Sequence, residues 1–226
     1  MKEIKLNHQI CYLAIHNAQG VAMNLLVFGF RQLQDTYLYK NQSDLKSLCE
    51  SLNEEFNPIV AQYQSYGFAS NQLIDSIKIH ICYENYLKGA LLANGIIIHK
   101  LNKDIFPDLA KKQQNEPVYR DEVVKNNEWI DNPKIKLPQP LRLQIKGIEK
   151  TTLGTNILTK KKYLDKINFN ENILKILKPY FEYRNNLHYY AGDSFSLTKE
   201  LYSNFRTLIN YSNQNIVSIH NQLVDN

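Results

Sequence analysis

Apolar positions recur at three- and four-residue steps along most of the chain, which places them on one side of an α-helix. From Val21 to Lys40 they are Val21, Leu25, Phe28, Leu33, Tyr37 and Leu38, and this spacing predicts a first amphipathic helix. Ser43 stands just before Leu45, Leu48, Leu52 and Phe56 and is expected to cap a second helix. Pro58 is expected to kink that helix and Gly67 to end the section. A third helix is expected to start after Ser70, with Leu73, Ile77, Ile81, Glu84, Leu87, Leu91 and Leu92 at helical steps. Gly95 is its natural stop, just before Ile96-Ile97-Ile98-His99.

The middle of the chain loses this rhythm. Five of the seven prolines (Pro107, Pro117, Pro133, Pro138 and Pro140) fall between residues 107 and 140, and long helices cannot pass through them. Residues 103–165 are therefore expected to form short helices and irregular segments, an insertion rather than a second domain. Helical spacing returns at Ile173, Leu174, Leu177, Phe181, Arg184 and Leu187. There Pro179 either kinks the helix or opens a new one. A final helix is expected from about Ser196 to Leu223, with Leu197, Leu201, Phe205, Leu208, Ile216, Ile219 and Leu223 inward. The expected fold class is all-α, one helical bundle spanning residues 1–226 with a proline-rich irregular insertion.

Composition agrees with that picture. Hydrophobic residues make up 43% of the 226 positions, enough for a packed core, and only 8 glycines argue against a turn-rich β fold. Cys11, Cys49 and Cys82 are odd in number and form no C-x-x-C pair, so neither a disulfide framework nor a zinc ribbon is indicated. No uninterrupted apolar run reaches 18 residues, so no membrane span is expected and the cytoplasm is the expected location. The formal net charge of +5 is concentrated. Lys134, Lys136, Arg142, Lys146, Lys150, Lys160, Lys161 and Lys162 face a single acid, Glu149, in one stretch. Such a run is either a phosphate-contacting surface for RNA or a solvated connection.

Several kinds of chemistry are missing. Neither common nucleotide-binding loop occurs, nor does H-E-x-x-H or a G-x-S-x-G elbow. His80, Cys82 and Glu84 are all ligand types, but on a helix Cys82 leaves the face that His80 and Glu84 share. An ordinary helix is the better reading, and no metal or cofactor is expected. Fifteen tyrosines spread over the whole chain are better explained as core and surface filler than as a base-stacking platform.

One run does carry chemistry: Tyr183-Arg184-Asn185-Asn186-Leu187-His188-Tyr189-Tyr190. Arginine and histidine four apart on a helix share a face. A permanently charged guanidinium then sits beside a ring that titrates near neutrality. That pair suits a phosphodiester, the arginine holding phosphoryl charge while the histidine moves a proton. An exposed helix face with a capping histidine would carry the same residues.

At Arg184, Asn185 and His188 the chain resembles the HEPN superfamily (higher eukaryotes and prokaryotes nucleotide-binding), all-α proteins marked by an arginine, a polar residue and a downstream histidine. Three residues separate Arg184 from His188, where the family has four to six. Tyr83 to Leu92, with Glu84 ahead of Lys88, is similar to an earlier helix of that family, as is His99-Lys100-Leu101 after it. The resemblance implies a metal-independent endoribonuclease or toxin acting as a homodimer, with Arg184, His188, Asn185 and Glu84 as its catalytic set. It also implies attack by the RNA 2′-hydroxyl, an antitoxin or antiphage-defence partner, and Tyr190 as a modification target. The alternative within the same resemblance is a non-catalytic module that binds RNA, nucleotide or protein.

Overall fold

Helices dominate the chain in the computed structural model, which describes residues 15–51, 58–125, 129–131, 143–185 and 199–224. In order these are α1 (Ile15–Gln34), α2 (Tyr37–Lys40), α3 (Gln42–Ser51), α4 (Pro58–Ala93), β1 (His99–Leu101), α5 (Pro107–Lys112) and α6 (Arg120–Val124). Then come β2 (Trp129–Asp131), β3 (Leu143–Ile145), β4 (Ile148–Thr152), α7 (Thr155–Leu158), α8 (Lys161–Leu164), a 3-10 turn (Asp165–Ile167), α9 (Glu171–Asn185) and α10 (Lys199–Val224).

The expected first helix is two. It breaks after Gln34 because side chains take over the backbone groups at the break. The Thr36 hydroxyl donates to the Leu33 carbonyl at 2.7 Å and accepts from the Tyr39 amide at 3.1 Å. The buried carboxylate of Asp75, reaching in from α4, accepts from the Tyr37 and Leu38 amides at 2.8 and 2.9 Å. Those two amides are the first of α2, whose N-terminus has no intrahelical acceptor for them. Burial pushes the Asp75 carboxyl above the usual carboxylate range, against the pull of these two donors.

Pro58 opens α4 rather than kinking its predecessor, and Ser43 lies inside α3 rather than capping it. Proline suits a first turn, where a missing amide costs nothing. Gly67 does not end a helix either: α4 runs through it for 36 residues. A Cβ at Gly67 would stand 2.5 Å from the Tyr37 hydroxyl, so the glycine makes room for a ring instead of stopping the chain. Tyr37 in turn packs edge-on against Phe68, with ring centroids 5.1 Å apart. The true stop is Gly95, as the sequence predicts. Its φ is +71°, the Gly95 amide bonds the Leu92 carbonyl at 2.9 Å, and the Ile96 amide bonds the Leu91 carbonyl at 3.0 Å. That pair of bonds is a Schellman closure.

The chain divides into two compact units, Met1–Leu26, Tyr86–Phe169 and Ile219–Asn226 in one, Val27–Asn85 and Asn170–Ser218 in the other. In the first, the segment expected to be irregular has regular pieces. β1 and β4 pair antiparallel, His99 opposite Thr152 and Leu101 opposite Ile148, with a register irregularity between. β2 and β3 pair Trp129 with Ile145 and Asp131 with Leu143. Buried Gln113 closes the other edge of β1: its side-chain oxygen accepts from the Leu101 amide at 3.1 Å and its amide donates to the His99 carbonyl at 2.7 Å. An amide side chain thus stands in for a third strand. The core of this unit joins Leu87 and Leu91 of α4 to Ile96, Ile97, Val118, Leu153, Leu158 and Tyr163.

In the second unit the core among the described residues is helical. Leu33, Leu45 and Ile79 are buried with Leu177 of α9 and Phe205 and Leu208 of α10. Tyr83 is buried too, its hydroxyl donating to the Leu208 carbonyl at 2.8 Å and accepting from Ser212 at 3.0 Å. Pro179 lies inside α9, so the choice left open by the sequence falls on a proline within one helix. The Lys175 carbonyl consequently receives no amide from residue 179.

Candidate functional site

α4 carries His80 and Glu84 on one face, as their i,i+4 spacing requires. The His80 Nε2 and Glu84 Oε2 atoms are 3.1 Å apart. His80 is 2% exposed, whereas the Glu84 side chain is 20% exposed, so the pair runs from the core outward. The imidazole also meets the Phe181 ring of α9 edge-on, with centroids 4.9 Å apart and planes at 80°. This contact joins α4 to α9 three residues before Arg184. Arg184 and Asn185 are the last two described positions of α9. His188 and Tyr190 lie outside the described residues. Of the expected catalytic set, therefore, Glu84, Arg184 and Asn185 are carried by two helices that touch at His80 and Phe181.

Cys82 behaves as its helical position predicts. It is buried beside Ser212, and burial pushes its thiol up to about 12, which leaves it protonated and inert. Among the described residues no group of three or more His, Cys, Asp or Glu side chains is placed to hold a metal ion. Nor is any helix among them long and apolar enough to cross a membrane.

The basic stretch falls in the other unit. Lys134, Lys136 and Arg142 lie outside the described residues. Lys146 is exposed in the turn between β3 and β4, and Lys150 lies in β4. Lys160, Lys161 and Lys162 are all exposed around the start of α8, but two of them have structural partners. The Lys160 ammonium donates to the Gln114 carbonyl at 2.5 Å and to Asn115 Oδ1 at 3.0 Å, just past the end of α5. Lys162 pairs with Glu116 at 2.7 Å, and that bond holds the Glu116 carboxyl below the usual carboxylate range. The same unit has an open cleft of about 560 Å³ lined by Lys100, Asn102, Lys103, Asp104, Gln114, Glu149 and Asn156, among others. Its charges are mixed, two lysines facing two carboxylates, so they select no single ligand charge.

In the sequence His80 stands out as a metal-ligand type. Its i,i+4 spacing from Glu84 was the available signal for a side-chain pair. Its contact with Phe181 spans 101 positions, and no local pattern reports that. Compared with known proteins, the chain matches no family model, no curated protein and no solved structure.

Proposed function

We propose that this protein is a HEPN-like, metal-independent endoribonuclease whose site begins on α9 at Arg184. The observation that supports this reading is the run Arg184-Asn185-Asn186-Leu187-His188, which begins on α9, together with the contact of α9 and the Glu84-bearing helix. In this mechanism His188 acts as general base or acid, and the proton of an RNA 2′-hydroxyl is passed to the departing 5′-oxygen of the next nucleotide as the 2′-oxygen attacks the adjacent phosphorus. The products are a 2′,3′-cyclic phosphate and a 5′-hydroxyl. Arg184 stabilises the charge that builds on the phosphoryl oxygens, where a fixed guanidinium fork is more effective than a mobile ammonium. Asn185 orients the pair and Glu84 braces the guanidinium. A homodimer doubles the cationic groups about a twofold axis. A toxin or antiphage-defence role, with an antitoxin or defence partner and Tyr190 as its modification target, belongs to the same reading.

The test is incubation of the purified protein with total RNA in EDTA, beside Arg184→Ala and His188→Ala. Cleavage to cyclic-phosphate ends is expected, with each variant slower by about a hundredfold or more. Salt-sensitive RNA binding without cleavage would replace the ribonuclease by a binding module, and neither activity would remove both.

A further inference from the structure

The geometry points to His80 as a positioning residue for Glu84, holding the carboxylate in one orientation beside α9. This inference rests on the ribonuclease reading for its consequence, though not for its geometry. His80 Nε2 lies 3.1 Å from Glu84 Oε2, and a carboxylate oxygen at that distance accepts a proton from the ring nitrogen. Nε2 is therefore the donor. The other ring nitrogen, Nδ1, is buried and has no hydrogen-bond partner among the described residues. A proton there would create a buried N–H with no acceptor among the described residues, a larger penalty than a buried lone pair. Of the two neutral tautomers, the arrangement thus selects the one with its proton on Nε2.

A ring donor has a particular use here. It fixes one carboxylate oxygen and so holds Glu84 in one orientation for a guanidinium. The ring is itself held, being 98% buried and edge-on to Phe181 on the helix that carries Arg184. His80 therefore touches both sides of the proposed site, Glu84 by a hydrogen bond and α9 by ring packing. Displacements on the order of 1 Å in such a supporting contact cost about a hundredfold in rate when they misplace a reacting group.

Two variants separate the donor from the packing. His80→Gln places an amide N–H near the position of Nε2, while His80→Leu fills a similar volume with no donor. Both are compared with the wild-type chain for RNA cleavage in EDTA. Nitrogen NMR of the wild-type imidazole independently reads which ring nitrogen carries the proton. The expected result is a kcat about tenfold lower or worse for His80→Leu with KM nearly unchanged, because the loss falls on the transition state. His80→Gln is expected to recover most of that loss, and the NMR to show Nε2–H. Wild-type kcat in folded His80→Leu, equal losses in the two variants, or a ring protonated on Nδ1 would each overturn the inference. If the wild-type chain leaves RNA intact, the ribonuclease reading fails by itself. The ring tautomer, measured without any substrate, then decides the positioning claim alone, including when a variant does not fold.

Discussion

Gly20 and Gly29 lie in the same helix, α1, yet replacing each with alanine is expected to move stability in opposite directions. In a helix interior alanine is better than glycine by about 1 kcal/mol, mainly because glycine loses more backbone freedom on folding. At Gly20 nothing among the described residues lies within 4 Å of an added Cβ, so the whole of that gain is available. At Gly29 the added Cβ would stand 2.8 Å from the Cys82 carbonyl oxygen, 3.3 Å from the Cys82 Cα and 3.2 Å from the Asn85 Cβ. An ordinary carbon–oxygen contact is about 3.3 Å or longer. The α4 backbone would have to retreat by about 0.5 Å, and backbone cannot swing aside as a side-chain tip can. Overpacking of this kind costs about 1–3 kcal/mol. Subtracting the helix gain leaves Gly29→Ala destabilising by roughly 1 kcal/mol. For a chain of this length 1 kcal/mol shifts Tm by about 2–4 °C. Thermal unfolding followed by circular dichroism should therefore show Gly20→Ala above the wild type and Gly29→Ala below it, separated by about 4–8 °C. Two shifts of the same sign would refute the close approach at Gly29.

Asp75→Ala should lower stability by about 3 kcal/mol, measured by denaturant unfolding, because it strands the Tyr37 and Leu38 amides at the start of α2. A cost below about 1 kcal/mol would mean that other acceptors replace the carboxylate. The Asp35 carboxyl is lowered to about 2 by its hydrogen bonds to Lys40 and Lys78 and by their charges. Its stabilising contribution is thus present above the usual value of 3.8 and is lost as pH falls from there through about 2. Asp35→Asn should abolish that part of the acid sensitivity, and an acid-unfolding curve identical to the wild type would contradict it. If the basic stretch contacts RNA, Lys161→Gln should flatten the salt dependence of binding by about 0.7 in slope with no change in Tm. Lys160 and Lys162 are poorer probes because their bonds to the Gln114–Glu116 turn tie them to stability.

Determinants within a few residues of one another were legible in the sequence. The stop at Gly95 rests on one left-handed glycine and two local bonds, and α9 and α10 fall close to where their apolar spacing places them. The placement of Arg184 and Asn185 on a helix belongs with these. What the sequence could not settle depends on partners far along the chain. Gly67 has the composition of a stop, but the Tyr37 ring, 30 positions away, makes it a point of close approach inside a long helix. The pairing of β1 with β4 joins residues about 50 positions apart, and a strand of three residues carries too short a pattern to announce itself. The helix predicted through residue 36 breaks because Asp75 offers its backbone amides a better acceptor from another helix. At the candidate site the division is the same. Spacing alone set His80 and Glu84 on one face of α4, but only the packing of α9 brought Phe181 onto the imidazole. Helical periodicity encodes which face turns inward, and which partner that face meets is decided by the packing of the whole core.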